Sequence, residues 1–124
     1  MKPSLAPGLE IEERYVVEPK MAPPHLPMPV LSTPSMIGLI EGTCLKCAQP
    51  HLDGTETTVG THVNVSHTGP AHSGETITIK ARLKEINKRR LLFEVEVLSP
   101  RGPISAGTHE RAIIDLARFG GAPG

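Results

Sequence analysis

The sequence predicts an α+β domain in which one long antiparallel β-sheet wraps around a single buried helix. A helical pattern occupies residues 32–50, with apolar side chains around nearly its whole circumference. From residue 57 onward the apolar residues recur with a period of two, in four segments separated by turn residues. A sheet with one apolar face and a helix that is apolar on all sides bury one another economically when the sheet curves around the helix.

Length and charge bound the class of protein. The chain has 124 residues, and 13 basic and 13 acidic side chains leave no net charge, so neither nucleic acid nor an anionic membrane is expected as a partner. The apolar run at residues 36–48 is too short to span a bilayer, and the N-terminus lacks the apolar stretch of a secretion signal. We therefore expect a cytoplasmic protein with a flexible arm at residues 1–9 and a single domain at residues 10–119.

The elements are predicted in the following order along the chain. Residues 10–18 alternate as a first strand, and five prolines in residues 19–29 then predict an extended loop or a lid. In the helix, Thr33 with Ser32 before it is the N-cap candidate, and Pro34 occupies the favoured first position. Four further strands are expected at residues 57–68, 75–87, 90–99 and 104–116.

The two cysteines of the sequence, Cys44 and Cys47, form a C-x-x-C pair inside the predicted helix. No second pair exists to complete a zinc ribbon, and a thioredoxin-like motif belongs at a helix N-terminus. Both are predicted to be small apolar residues of the helix.

Three histidines, His62, His67 and His72, fall within the short stretch GTHVNVSHTGPAH. On a regular strand His62 and His67 point to opposite faces, and His72 lies in the following turn. They cannot share a metal ion without a bulge between them, so no metal site is predicted.

Strand alternation assigns the remaining residues of this segment to two faces. Val63 and Val65 share the inward face with His67, which is interpreted either as a hydrogen-bonded core histidine or as a functional one. Thr58 and Gly60 are assigned to the opposite, polar face.

Two charged residues stand in apolar surroundings. Glu41 projects from an apolar stripe of the helix, where it either reaches water or acts as a catalytic carboxylate in a dry pocket. Arg111 alternates with His109 and Ile113 on the last strand, which indicates an anion-facing or interface role or an arginine that covers a sheet edge. An acid, a histidine and the hydroxyl of Thr33 together indicate acyl-transfer chemistry.

The segments TPSMIGLIEGTC, GTHVNVSHT and SAGTHERAII, in this order, resemble the fluoroacetyl-CoA thioesterase family of hotdog proteins over residues 30–119. The resemblance implies a hotdog fold and hydrolysis of a short-chain acyl-CoA to free acid and CoA, without a cofactor. It implies these site residues: Thr33, Glu41 and His67 as catalytic residues, and Gly60 and Arg111 as substrate-binding residues.

Two departures from the family pattern concern the acyl group. The phenylalanines that form a lid in the fluoroacetate-specific member are missing from residues 19–30, and Gly42 stands where the family has an aromatic residue. These departures predict an acyl pocket of different shape, with fluoroacetyl selectivity in question.

Thr33 and Glu41 are eight residues apart, which is about 12 Å along a straight helix. Either Thr33 lies in the loop before the helix and folds back, or one subunit of a homodimer or higher homo-oligomer supplies Thr33 and its partner supplies Glu41. The fold also admits two alternative functions. A non-catalytic acyl-CoA-binding or regulatory module predicts CoA binding without turnover, and an enoyl-CoA hydratase of the same fold is disfavoured because no D-x-x-x-x-H pair is present.

Overall fold

The computed structural model describes residues 1–118. One helix and five strands follow each other in the predicted order: β1 (Glu10–Val16), α1 (Thr33–Ala48), β2 (Glu56–Val65), β3 (Thr76–Asn87), β4 (Arg90–Ser99) and β5 (Gly102–Asp115). The strands form one antiparallel sheet in the order β1-β3-β4-β5-β2. The predicted domain end at Phe119 lies outside the described residues. Within them, no helix has the length and apolar character needed to cross a membrane.

The core forms between α1 and the inner face of the sheet. The side chains that face α1 from β3 and β4 are almost completely buried: Ile77, Ile79, Ala81, Leu83, Leu91, Phe93, Val95 and Val97. On α1 the buried residues recur at intervals of three and four, as expected when one face of a helix packs on a sheet. The predicted burial of the helix on all sides is not met within one chain, because Gly38 is exposed and Ile37, Glu41 and Leu45 are only half-buried.

The N-cap of α1 lies one residue before the predicted position. Ser32, and not Thr33, is the N-cap, and its side-chain oxygen accepts a hydrogen bond from the backbone N–H of Ser35. Thr33 is the first helical residue and Pro34 the second. The hydroxyl of Thr33 is therefore not used to cap the helix.

A β-bulge in β2 changes the predicted assignment of faces. The register with β5 pairs Gly60 with Arg111 and His62 with Glu110, which leaves Thr61 as an extra residue. The predicted faces are wrong before Thr61, because Thr58 pairs with the inward-facing Ile113 and is itself buried. The bulge precedes His62, so His62 and His67 are still separated by an odd number of positions.

The N-terminal arm lies against the segment that follows α1, and its end pairs with β3, where Gly8 N–H donates to the Leu83 carbonyl. Leu5 is buried, and the backbone N–H of Lys2 donates to the carbonyl of His51. The ammonium of Met1 lies 2.7 Å from Asp53 Oδ2 and 2.6 Å from Glu56 Oε1. These contacts define one docked arrangement of the arm, and its predicted flexibility stays a prediction.

Gly107 on β5 is expected to be required for stability. Its φ of +155° is rarely adopted by residues with a side chain, and a Cβ atom there would overlap the backbone carbonyl of Asn64 on β2. Because that carbonyl belongs to the sheet and cannot move alone, Gly107→Ala should lower the free energy of unfolding by about 1–3 kcal/mol, measured by urea denaturation. Gly38→Ala is the matched control, since a Cβ atom there meets nothing within 4 Å. Equal effects of the two substitutions would contradict the prediction.

Candidate functional site

The first group of site residues joins the start of α1 to the end of β2. Thr33 Oγ1 lies 2.7 Å from Nδ1 of His67, a hydrogen bond across 34 residues of sequence. Thr33 projects toward His67 because it occupies the first helical position, after the cap at Ser32. His67 follows β2, where the backbone N–H of Thr68 still donates to the carbonyl of Ile104 on β5. The sequence predicts both residues as site residues, and the structure brings them together.

This pair opens into a cleft of about 390 Å³. The wall around Thr33 and His67 is largely apolar and includes Leu26, Val30 and Leu31. Burial lowers the pKa of His67 below its usual value, although a backbone hydrogen bond with Gly69 opposes this effect. The imidazole is therefore neutral at pH 7 and can accept a proton.

The Pro-rich segment, residues 19–29, borders the same cleft. It contains a single 3₁₀ turn at Pro19–Met21, and the rest is extended or bent, as five prolines predict. Its C-terminal end is held by hydrogen bonds from Ser73 N–H to the Pro29 carbonyl and from Leu31 N–H to the Ala71 carbonyl. The middle of the segment, with Pro23 and Leu26, lines the cleft beside Thr33.

The second group of site residues surrounds Glu41, two turns further along α1. The carboxylate of Glu41 occupies the space that a side chain at residue 60 would need, since a Cβ atom on Gly60 would overlap Glu41 Oε1. Gly60 pairs with Arg111 and lies on the inner face directly before the bulge at Thr61, where its missing side chain leaves room for the carboxylate. The Glu41 side chain is 40% exposed in the single chain, so the dry pocket considered for it is not formed by one subunit alone.

Arg111 is the nearest positive charge to Glu41. Its guanidinium is 6% exposed, and Nη1 lies 3.6 Å from Glu41 Oε1. Two further nitrogens are held by Thr58 on β2, because Nε donates to Thr58 Oγ1 at 2.7 Å and Nη2 to the Thr58 carbonyl at 3.0 Å. Burial lowers the pKa of Arg111, and the negative charge of Glu41 opposes this. Such burial favours an orienting role for Arg111 over contact with the phosphates of CoA.

His109 completes the surroundings of Arg111 and is fully buried. Arg111 Nη1 lies 3.1 Å from His109 Nε2, and a guanidinium only donates, so this nitrogen accepts. The ring proton is therefore on Nδ1, which donates to the His62 carbonyl at 2.8 Å. Burial lowers the pKa of His109; its hydrogen bond to His62 raises it, Arg111 lowers it, and Glu41 and Glu110 raise it. The ring is a neutral imidazole with one fixed tautomer.

The predicted site residues thus form two groups in one chain, Thr33 with His67 and Glu41 with Gly60 and Arg111. Both Thr33 and Glu41 are confirmed as residues of one continuous helix, so about 12 Å of helix separates them. Thr58 and His109 were not identified from the sequence as residues that contact the candidate site residue Arg111. His109 could have been found, because it alternates with Arg111 and so shares its face of the last strand. Thr58 could not, because the bulge changes which face of β2 it occupies.

The other candidate groups do not form a metal centre among residues 1–118, where no three His, Cys, Asp or Glu side chains converge. His62 is exposed, and His72 follows the end of β2 in a separate loop.

Cys44 and Cys47 are buried on α1, as predicted, and burial raises the pKa of Cys44 to about 12. This thiol stays protonated and behaves as an apolar side chain.

Comparison with known proteins identifies the family. The model of the fluoroacetyl-CoA-specific thioesterase family, FlK, matches residues 12–117. The chain belongs to this family. It is 34% identical to the fluoroacetyl-CoA thioesterase of Streptantibioticus cattleyicolor over 128 aligned residues, which cover 96% of this chain and 92% of that protein.

Solved structures agree with this family assignment. One structure of the fluoroacetyl-CoA thioesterase FlK has a TM-score of 0.88 at 32% identity and covers 94% of this chain and 93% of its own. A thioesterase superfamily member from Thermus thermophilus has a TM-score of 0.86 at 27% identity, over 94% of this chain and 88% of its own. The predicted hotdog fold and the predicted enzyme class, a thioesterase, are confirmed.

Proposed function

We propose that this member of the family hydrolyses a short-chain acyl-CoA to the free acid and CoA, at a site that two subunits build together. The observation that carries the proposal is the Glu41 carboxylate, which fits against Gly60 and lies 3.6 Å from the buried Arg111. A carboxylate that is held beside a cation, yet 40% exposed, is available to a substrate or to a water molecule. The sequence similarity to fluoroacetyl-CoA thioesterase supports an acyl-CoA substrate.

The edge strand β2 supports assembly into a homodimer. Within residues 1–118 β2 pairs only with β5, so its other edge leaves backbone groups open to a second strand. Val63 faces inward on this strand and is nevertheless 37% exposed. Antiparallel pairing of β2 with its copy, centred at Val63 and with Thr61 left unpaired, would set residues 65 and 67 of one subunit opposite residues 60 and 58 of the other. His67 and Thr33 of one subunit would then lie beside Gly60 and Glu41 of its partner.

In this arrangement each group has a distinct task. Glu41 attacks the thioester carbonyl or takes the proton of the attacking water, and His67 carries the proton that the departing thiolate of CoA requires. Thr33 donates a hydrogen bond to the reacting group, and Arg111 keeps Glu41 in place. The Gly60 backbone polarises the carbonyl oxygen, because the missing side chain allows close approach. Water supplies the oxygen of the acid and the proton of the thiol.

A steady-state assay of free thiol release from a panel of acyl-CoAs of increasing chain length tests the proposal. We expect turnover of short acyl chains. The panel includes fluoroacetyl-CoA to test selectivity for this acyl group, because the segment that borders the cleft contains no phenylalanine. Binding of CoA without thiol release from any acyl-CoA would instead support the non-catalytic module, although family membership favours the enzyme.

The acid side of the pH profile should report the neutral form of His67. Burial lowers its pKa from the usual 6.5, so the neutral base persists below that pH and is lost only as the pH falls through the lowered value. We therefore expect the midpoint of the acid-side decline in kcat/KM to lie below pH 6.5. An NMR titration of His67 should show a matching pKa. A midpoint above pH 6.5 would contradict the assignment of His67 as the proton carrier.

A further inference from the structure

His109 is the one fully buried histidine beside the proposed site, and the reaction as described does not use it. It lies on β5, and its ring faces residues of β2, β5 and α1. Its Nδ1 is bonded to the His62 carbonyl on β2, and its Nε2 accepts from Arg111 of β5. The same Nε2 lies 3.9 Å from Glu41 Oε1 on α1, beyond hydrogen-bond distance.

The hydrogen bonds of Arg111 explain what His109 adds. Thr58 holds the guanidinium through Nε and Nη2, but neither bond reaches Nη1, the nitrogen closest to Glu41. Nη1 has two acceptors within reach, His109 Nε2 at 3.1 Å and Glu41 Oε1 at 3.6 Å. The imidazole has the shorter contact. Without it, the Glu41 carboxylate is the partner left to this buried N–H group among the contacts of residues 1–118.

We propose that His109 is a positioning residue which occupies Nη1 of Arg111 and thereby keeps Glu41 free for the thioester. A guanidinium that closed fully on Glu41 would form a charge-assisted hydrogen bond, and the carboxylate would lose that bond each time it attacked or took a proton. Because the neutral imidazole accepts the hydrogen bond from Nη1, Glu41 does not form it. The positive charge of Arg111 still lies near enough to orient the carboxylate. This inference rests on the proposed hydrolysis at Glu41.

Two substitutions separate the two hydrogen bonds of the ring. The amide nitrogen of an asparagine lies where Nδ1 of histidine lies, so His109→Asn keeps the donor to the His62 carbonyl and loses the acceptor for Arg111. The terminal amide of a glutamine reaches the position of Nε2, so His109→Gln keeps the acceptor and loses the donor. If His109 acts only by supporting the bulge of β2 through its bond to the His62 carbonyl, His109→Asn should retain activity and His109→Gln should lose it.

The expected result is the reverse. His109→Asn should lower kcat by about 100-fold with little change in KM, because Glu41 is displaced while the cleft is unaffected. His109→Gln should keep most of the kcat. Equal kcat values for both variants, or a better Asn than Gln variant, would overturn the proposal. Glu41→Gln is measured alongside, and a fully active Glu41→Gln variant would overturn the proposed site itself and this inference with it.

A measurement on the wild-type protein tests the inference even if a variant fails to fold. NMR of ¹⁵N-labelled histidine should show the neutral ring of His109 protonated on Nδ1, with a pKa below the usual 6.5. The groups around it are Arg111 and Glu110 on β5, Glu41 on α1, the His62 carbonyl on β2 and the non-titrating Phe93 opposite it on β4. A proton on Nε2 would leave Nη1 without its acceptor and overturn the proposal.

Discussion

Glu41→Gln is expected to lower kcat for acyl-CoA hydrolysis by at least about 100-fold, because an amide can neither attack the thioester nor accept the proton of a water molecule. The substitution keeps the size of the side chain, and the Glu41 side chain is 40% exposed, so folding should be unaffected. The measurement is steady-state thiol release together with thermal unfolding. Glu85→Gln on β3 is the matched control, since Glu85 is exposed and pairs with Leu92 of β4, outside the candidate site. A Glu41→Gln enzyme as active as this control would remove Glu41 from the mechanism.

Mixed dimers test whether two subunits share the site. Thr33→Ala and Glu41→Ala should each be inactive alone, and co-refolding the two variants should restore about a quarter of the wild-type activity. This value follows because half of the randomly paired dimers are mixed, and each of these has one site with both residues intact. If Thr33 and Glu41 act within one chain, every site in the mixture carries a defect. No activity would then return, and the shared site would be wrong.

Gly60→Ala should produce a comparable loss of activity with little loss of stability. The added Cβ atom overlaps Glu41 Oε1 and lies 3.2 Å from His109 Cε1. The end of the Glu41 side chain can move away, so the fold survives, but a carboxylate displaced by about 1 Å can lose about 100-fold in rate. We expect this loss in kcat/KM, measured by thiol release, whereas Gly38→Ala should retain full activity because its Cβ atom meets nothing within 4 Å.

A second measurement identifies the cause of that loss. In a Glu41→Ala background the overlap disappears, so Gly60→Ala should change the unfolding free energy less than it does in the wild type. An unchanged effect would mean that the methyl group disturbs β2 itself. In that case Gly60 is needed for the backbone of the strand, and the fit of Glu41 against it is incidental.

Much of the fold could be predicted from the sequence because the apolar period changes sharply after the helix. β4 agrees with the prediction at both ends, and β3 differs by one residue at its start. The end of β2 was placed three residues late, since Ser66 and Thr68 continue to bond to β5 without belonging to the strand. Boundaries of this kind depend on hydrogen bonds that alternation does not encode.

The candidate site was only partly predictable, for two physical reasons. A bulge adds one residue without a distinctive side chain, so Thr58 and Gly60 were assigned to the outer face although both lie toward Glu41 and Arg111. The exposure of Glu41 reflects what a single chain covers, and the apolar residues around it do not reveal whether this chain or a second copy buries it. The hydrogen bond of Thr33 likewise required knowing that Ser32 caps the helix.

Thr61 makes the site depend on the length of a strand as well as on its side chains. Because Thr61 is the extra residue of the bulge, a chain that lacked it would form a regular β2 with Thr58, Gly60 and Val63 still on the inner face. Deletion of Thr61 would therefore preserve every site residue and its face, while it removed the local bend that aims the His62 carbonyl at His109. Thr61 has no chemical role of its own, but as one additional residue in β2 it sets the geometry of the candidate site.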